Sequence, residues 1–252
     1  WNAIDAFFTY GGMGFAEETG IPGIIRDIII TMIYEGTNDI NRLNAVIMLF
    51  TKVGPALGFE AQIAKDIADV VVNPSFDATK ANFTGLLAQE CQVVEHIKTM
   101  VRLLGGSWMR KVLKKAGGKE NKAAVMMVLN ADQEVLKRFF QLIAGVYECE
   151  SAILVNQNME ARGMNTAGSV EMAQVAVAEF VDTALKAVRE IVARMTTVFG
   201  LSDNDKKLWD KAYDMIAYPL SITDPLVDVV QLKRSICERL EEEGKYWVVN
   251  TN

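Results

Sequence analysis

The chain is poor in the residues that much of enzyme chemistry uses. It has one histidine, His96, among 252 residues. That removes Ser–His and Cys–His nucleophilic pairs and leaves a histidine metal centre without ligands. His96 itself reads as a helix-surface or half-buried residue. The three cysteines, Cys91, Cys149 and Cys237, are odd in number and far apart. They read as reduced, mostly buried thiols and not as a disulfide framework or a zinc site. There are only five prolines, and alternating β-branched runs are rare, so a sheet has little support. No apolar run reaches the ~18 residues expected of a membrane helix. No signal or transit peptide is visible; a mature or partial chain would have lost one. Acidic residues outnumber basic ones, 32 to 26, for a net charge of -6. No basic stripe stands out, which argues against a nucleic-acid partner.

What remains is a chain patterned at helical period. Half of it is hydrophobic and 23% is charged, enough for a buried core in one large or two small domains. The expected fold is all-α. Trp1 to Tyr10 reads as a helix tail, and Gly23 to Ile33 as a helix after an Ile21-Pro22-Gly23 break. Asn38 to Thr51 has Ile40, Leu43, Val46, Ile47 and Phe50 on one face. Gly54 to Thr79, with Gly-Pro and Asn-Pro steps and a short helical piece from Gln62 to Val71, reads as a linker. Lys80 to Leu104 reads as a helix ended by Gly105-Gly106, and Trp108 to Lys115 as a short one closed by Gly117-Gly118. Lys119 to Ala161 can form one long helix with a bend at Gly145. Ser169 to Phe199 places Val170, Ala173, Val177, Val181, Val188, Val192, Met195 and Phe199 near one stripe, with Gly200 as a left-handed C-cap. Ser202 with Asp205 resembles a capping box for a helix to Ala217. Asp224-Pro225 opens a last helix that runs to Gly244. No repeat of fixed period is present.

Several side-chain groups have ordinary readings. Met126-Met127 suit core gap-filling, with an adaptable interface as the alternative. Arg110, Lys111, Lys114 and Lys115 with Trp108 make a small basic–aromatic patch. It reads as plain surface, with a lipid headgroup or partner contact as the alternative. Glu148, Glu150 and Glu241 to Glu243 read as solvated helix charges.

The informative stretch runs from Ala6 to Phe50. It holds a glycine turn, Gly11-Gly12-Met13-Gly14-Phe15, then Arg26-Asp27, then Tyr34-Glu35-Gly36-Thr37-Asn38-Asp39. Glu35 ends the apolar run Ile28 to Tyr34. A carboxylate there is partly desolvated, which raises its pKa and makes it a better base near neutral pH. Gly36 permits a turn and a close approach by another molecule. Thr37, Asn38 and Asp39 are good N-caps, and a helix N-terminus offers free N–H groups to a phosphate. The plainer alternative is a capped helix whose Glu35 is a solvated first-turn acid.

The wording GGMGF, RD and IYEGTNDI resembles the C-terminal domain of the acyl-CoA dehydrogenases, and most of all the very-long-chain type. The motif match covers about residues 5–50. The resemblance implies that Glu35 is the catalytic base, taking the proton from the carbon beside the thioester while a hydride leaves the next carbon for FAD. It implies that Gly12, Thr37 and Asp39 contact FAD and that Tyr34 and Gly36 line the acyl thioester site. Where the family places Gln three residues before the glycine pair, this chain has Phe8, which offers no hydrogen bond to a flavin. In a non-catalytic relative, Phe8 is placed to fill part of the space beside Glu35. The family's flavin-binding β-domain is absent from these residues, so the 252-residue chain is not expected to hold FAD alone.

The expected organisation is a dehydrogenase helical segment at 1–53, a linker at 54–79 and a helical bundle at 80–252. Two functions follow from the resemblance. In one, the chain is the C-terminal part of a mitochondrial FAD-dependent long-chain acyl-CoA dehydrogenase, with an acyl-CoA substrate, electron-transfer flavoprotein as electron acceptor and a homo-oligomeric state. In the other, it is a non-catalytic relative that serves as a subunit or assembly partner of a larger mitochondrial complex. The very-long-chain type is associated with membrane through a segment after the catalytic domain. The corresponding residues here, about 54–90, carry few basic side chains, and membrane association is not carried over.

Overall fold

The computed structural model of the chain describes residues 8–33, 36–56, 85–203, 205–207, 209–210, 213 and 227–243. Among them every regular element is helical, and the fold is all-α as expected. Backbone contacts divide the chain into two units, Trp1–Val46 and Ile47–Asn252. Residues 57–84, which hold most of the expected linker and its helix at 62–71, lie outside the described residues, as do residues 1–7 of the expected helix tail. Gly54–Ala56, where the linker was to start, is still helical.

The first unit opens with two short 3-10 helices, Gly11–Phe15 and Glu17–Thr19. Helix α1 spans Ile21–Thr31. Its start corrects the expectation of a break at Ile21-Pro22-Gly23. Gly20, at φ 73°, closes the preceding turn and caps α1, and Pro22 lies in the first turn, where its missing N–H costs no bond. Helix α2 spans Asn38–Met48 and continues into a π-helical turn, Leu49–Val53. On the expected apolar face of α2, Leu43 and Val46 are buried while Ile40 is exposed.

The second unit is a helical bundle. Helix α3 covers Ala88–Ala116, α4 Lys122–Asn130, α5 Gln133–Ala161, α6 Ala167–Phe199 and α7 Val229–Glu243. Helix α5 packs on α6, α3 packs on both, and α7 lies on α6. Helix α3 runs straight through Gly105-Gly106, against the expected stop. A Cβ at Gly105 would stand 2.7 Å from the Phe50 ring, so glycine here makes room and does not break the helix. Phe50, Trp108 and Phe139 form an aromatic cluster with ring centroids 5.1–5.7 Å apart. The real end of α3 is a Schellman cap. Gly117 sits at φ 80°, its N–H bonds the Lys114 carbonyl, and the Gly118 N–H bonds that of Leu113.

The single helix allowed over Lys119 to Ala161 is two, parted at Ala131-Asp132. The Asp132 carboxylate holds Arg194 of α6 by two bonds of 3.0 and 3.1 Å. Gly145 is again a close approach, since a Cβ there would lie 2.0 Å from the Phe180 ring. Between α5 and α6 the buried Asn156 donates to the Ser169 carbonyl at 3.2 Å and accepts from its hydroxyl at 2.6 Å. Leaving such a buried group unpaired costs ~1–3 kcal/mol.

Other expectations are corrected in detail. Gly200 has φ 69° but ψ 152°, so it is not a left-handed cap. Asp228 caps α7 through the Gln231 N–H at 2.9 Å, whereas Asp224 and Pro225 lie outside the described residues. The capping box is present, with Ser202 and Asp205 exchanging bonds of 3.0 and 3.1 Å. His96 is buried, because it shares the inner face of α3 with Ile97, Met100 and Leu104. Met126 and Met127 are exposed and fill no core. Trp108 is buried and so forms no patch with its basic neighbours, and Lys111 instead reaches Asp205 and the Gly200 carbonyl. Glu150 pairs with Lys98 of α3. The three cysteines are free, but Cys237 is exposed. No helix among the described residues is long and apolar enough to cross a membrane.

Candidate functional site

The glycine turn lies on the first 3-10 helix. Gly12 is exposed, and a Cβ built there meets nothing within 4 Å. The turn is carried by α1 and the second 3-10 helix. Arg26 of α1 donates two parallel bonds to Glu17, at 2.9 and 3.0 Å. That hydrogen bond, and next the guanidinium charge, hold the Glu17 carboxyl below its usual range. Glu17 was not read from the sequence as a partner for Arg26, because the two are nine residues apart across a turn.

The second part of the site is the entry to α2. Tyr34 and Glu35 lie outside the described residues. Gly36 stands at φ 108°, a conformation natural to glycine, and a Cβ there would meet Asn41 Oδ1 at 3.1 Å. The Asn41 side-chain amide donates to the Gly36 carbonyl at 3.0 Å, and the Asn41 N–H donates to the Thr37 carbonyl at 3.0 Å. Asn41 was also missed from the sequence. Its only signal is its place five residues after Gly36.

The expected anion site at this helix start is partly used up. The Asn38 N–H donates to the Met32 carbonyl at 2.9 Å. The Thr37 hydroxyl accepts the Ile40 N–H at 3.4 Å, as an N-cap should. Its own proton has no acceptor among the described residues. Asp39 is exposed in the first turn, 3.7 Å from Arg42. Phe8 is 72% exposed, and Glu35, beside which it is expected as a filler, lies outside the described residues. The structure thus gathers Gly36, Thr37 and Asp39 at one helix start and sets Gly12 on a separate turn of the same unit. Two clefts open in the second unit. One of about 640 Å³ is lined by Gln133, Arg138, Glu190 and Arg194, and one of about 440 Å³ by Lys115, Met127, Val198 and Phe199.

No family model matches the chain. It is 29% identical over 145 residues to a probable acyl-CoA dehydrogenase of Bacillus subtilis, covering 58% of this chain and 22% of that one. It is 61% identical over 44 residues to the mitochondrial very long-chain specific acyl-CoA dehydrogenase of Rattus norvegicus, covering 17% and 7%. Its fold is similar to the crystal structure of an acyl-CoA dehydrogenase complexed with FAD from Bacillus anthracis. The TM-score is 0.72 at 20% identity, over 96% of this chain and 36% of that one. The two sequence likenesses support the acyl-CoA dehydrogenase family, and the structural one shows the fold.

The helical fold agrees with the acyl-CoA dehydrogenase C-terminal helical domain. The chain spans about a fifth of the length of the Bacillus subtilis dehydrogenase and a smaller share of the rat one.

Proposed function

We propose that the chain is the C-terminal part of an FAD-dependent long-chain acyl-CoA dehydrogenase, with Glu35 as the base that takes the α-proton. The observation that carries this reading is the entry to α2. Gly36, at φ 108° and tied by Asn41, makes the backbone immediately after Glu35 specific to glycine. An ordinary capped helix has no need of that arrangement.

Two features fit a dinucleotide cofactor. Gly12 leaves its backbone open to close approach, and Thr37 keeps a hydroxyl proton to donate. Asp39 would add an exposed acceptor beside them. When bound, FAD would supply the hydride acceptor. Tyr34 and Gly36 would bound the thioester, and Glu35 would hold the proton removed from its α-carbon. The very-long-chain type, a mitochondrial location, electron-transfer flavoprotein as acceptor and a homo-oligomeric state belong to the same proposal. So does the division into a dehydrogenase segment at 1–53, a linker at 54–79 and a bundle at 80–252. The second reading, a non-catalytic subunit of a larger mitochondrial complex, draws on Phe8, which puts a ring where the family has a polar Gln.

Glu35→Gln tests the first reading in the full-length protein that carries this chain. Glutamine keeps the shape but cannot take the proton, and a positioned base typically supplies about 10²–10⁴-fold in rate. Loss of long-chain acyl-CoA oxidation with flavin content intact is the expected result. A wild-type protein with no dehydrogenation of any acyl-CoA tried, across chain lengths, would favour the subunit reading. Near-normal turnover by the variant would place the base elsewhere.

A further inference from the structure

The second unit carries a cleft that the proposed function does not use. Helix α4 is short and packs chiefly on α3, so a gap is left between it and the end of α6. The gap holds about 440 Å³, within the roughly 300–1,000 Å³ of small-ligand pockets. Its walls are apolar. Met127 and Val128 of α4 face Val198 and Phe199 from the last turn of α6, and the buried Trp108 of α3 lines it as well. Met127 is 73% exposed, so its flexible arm is not used by the core and is free to cover an apolar guest.

The rim has the opposite character. Lys115, in the last turn of α3, stands over the Phe199 ring at 5.6 Å and makes no ion pair among the described residues. Arg194 holds Asp132 through Nε, and its terminal nitrogens make no bond among the described residues. Around them, Arg110 to Lys122 holds six cationic side chains and one acid, Glu120, in a chain of net charge -6. Of the six, Lys111 is spent on Asp205. This end of the bundle therefore has the sign opposite to that of the whole chain.

We propose that the cleft binds a small anionic amphiphile, an aliphatic carboxylate, with its chain along Met127, Val198 and Phe199 and its carboxylate at the cationic rim of Lys115 and Arg194. The chain leaves water for an apolar wall, and the carboxylate gains charge-assisted bonds. A compact phosphate would leave the walls uncovered, and a neutral alcohol would leave Lys115 without a counter-charge. The site involves neither Glu35 nor a flavin.

The experiment uses the full-length protein that carries this chain, labelled at the methionine methyls, so that uptake of a ligand elsewhere leaves the Met127 signal unmoved. Decanoate, below its micelle concentration, is expected to shift that signal saturably. Lys115→Met keeps the length of the arm without its charge and should weaken binding about three- to fivefold, as loss of an exposed pair does. Lys122→Met, outside the cleft, should change it by less than about 1.5-fold. Decanol should bind more weakly than decanoate, and decylamine more weakly still, because its charge is repelled. Added salt should weaken decanoate and spare decanol in the wild type, a comparison that needs no variant to fold. A Met127 signal that decanoate does not shift would overturn the proposal. So would equal affinity of decanoate and decanol, or of wild type and Lys115→Met. If the signal follows protein concentration and ignores decanoate, a second copy of the chain covers the cleft, and the proposal falls.

Discussion

The two units treat apolar side chains in opposite ways. In the second, Trp108, Phe139, Leu104 and Ile191 are all but sealed from water. In the first, α1 contains six isoleucines and no buried residue, and Ile24, Ile29 and Ile30 are about half exposed. Composition alone would not separate these regions. The difference is whether an apolar face meets another. In the bundle, α3, α5 and α6 close on one another and remove that surface from water, which is where most folding free energy comes from. Helix α1 is apolar around much of its circumference, the pattern of a helix meant to be covered, and contiguous exposed apolar surface of this kind marks an interaction site. On the proposed reading, the cover is the remainder of a dehydrogenase.

The contrast can be broken most directly by truncating matched residues. Phe139→Ala should destabilise the chain by about 3–5 kcal/mol, since it empties the centre of the aromatic cluster. Ile30→Ser in α1 should stay within about 0.5 kcal/mol, as exposed substitutions do. Denaturant unfolding of both variants reads the difference. Equal losses would mean that α1 is covered within the chain after all.

Glycines give a second, smaller contrast. Gly145→Ala drives a Cβ into the Phe180 ring and should cost about 1–3 kcal/mol. Gly12→Ala has open space around it and should leave thermal stability unchanged, while lowering flavin retention in the full-length protein if the proposed contact is real. A stable Gly145→Ala with unshifted melting would show that Phe180 can move aside.

These same glycines mark where sequence reading succeeds and fails. Gly117 and Ser202 with Asp205 were legible because a cap is a local device, settled by residues three or four apart. Gly105 was misread as a stop, and the close approach at Gly145 went unread, because the reasons lie in Phe50 and Phe180, far along the chain. The break at Ala131-Asp132 left no signal at all; Asp132 is spent on Arg194, 62 residues away. At the candidate site the motif residues were proposed from their wording. Asn41 and Glu17 were not, because each works through a bond to backbone or to a distant side chain.

Thiol chemistry sharpens the comparison on the pH axis. Burial, followed by the nearby charges of Glu148 and Glu150, pushes the Cys149 thiol up from 9.0 to about 12. The folded protein therefore keeps a proton that the unfolded chain releases. Stability carried by this group is full below about pH 9 and falls as pH rises from there toward 12, where the folded form also ionises. Cys149→Ala should flatten that alkaline loss. Alkylation at pH 8 should label the exposed Cys237 first and Cys149 only on unfolding. Rapid labelling of Cys149 in the native chain would mean that this part of the bundle opens.

The smallest effect belongs to the first unit, at Arg26 and Glu17. Both side chains are largely exposed, so water and salt screen the pair and its share of stability is slight. What should change visibly is the titration of Glu17. Arg26 lowers its pKa from 4.5, chiefly through the hydrogen bond, against an opposing effect of desolvation that is larger than the added pull of the charge. A depressed carboxylate contributes above its unfolded pKa and loses that contribution as pH falls through the folded one. Arg26→Gln should let the Glu17 pKa rise back toward 4.5, followed by carbon-detected NMR of the carboxyl. Salt should move wild type the same way and leave the variant nearly still, because the charge on Arg26 is what it screens. If the pKa stays low in the variant, the 3-10 turn is held by something other than this pair, and the tie between the glycine turn and α1 must be sought in the backbone.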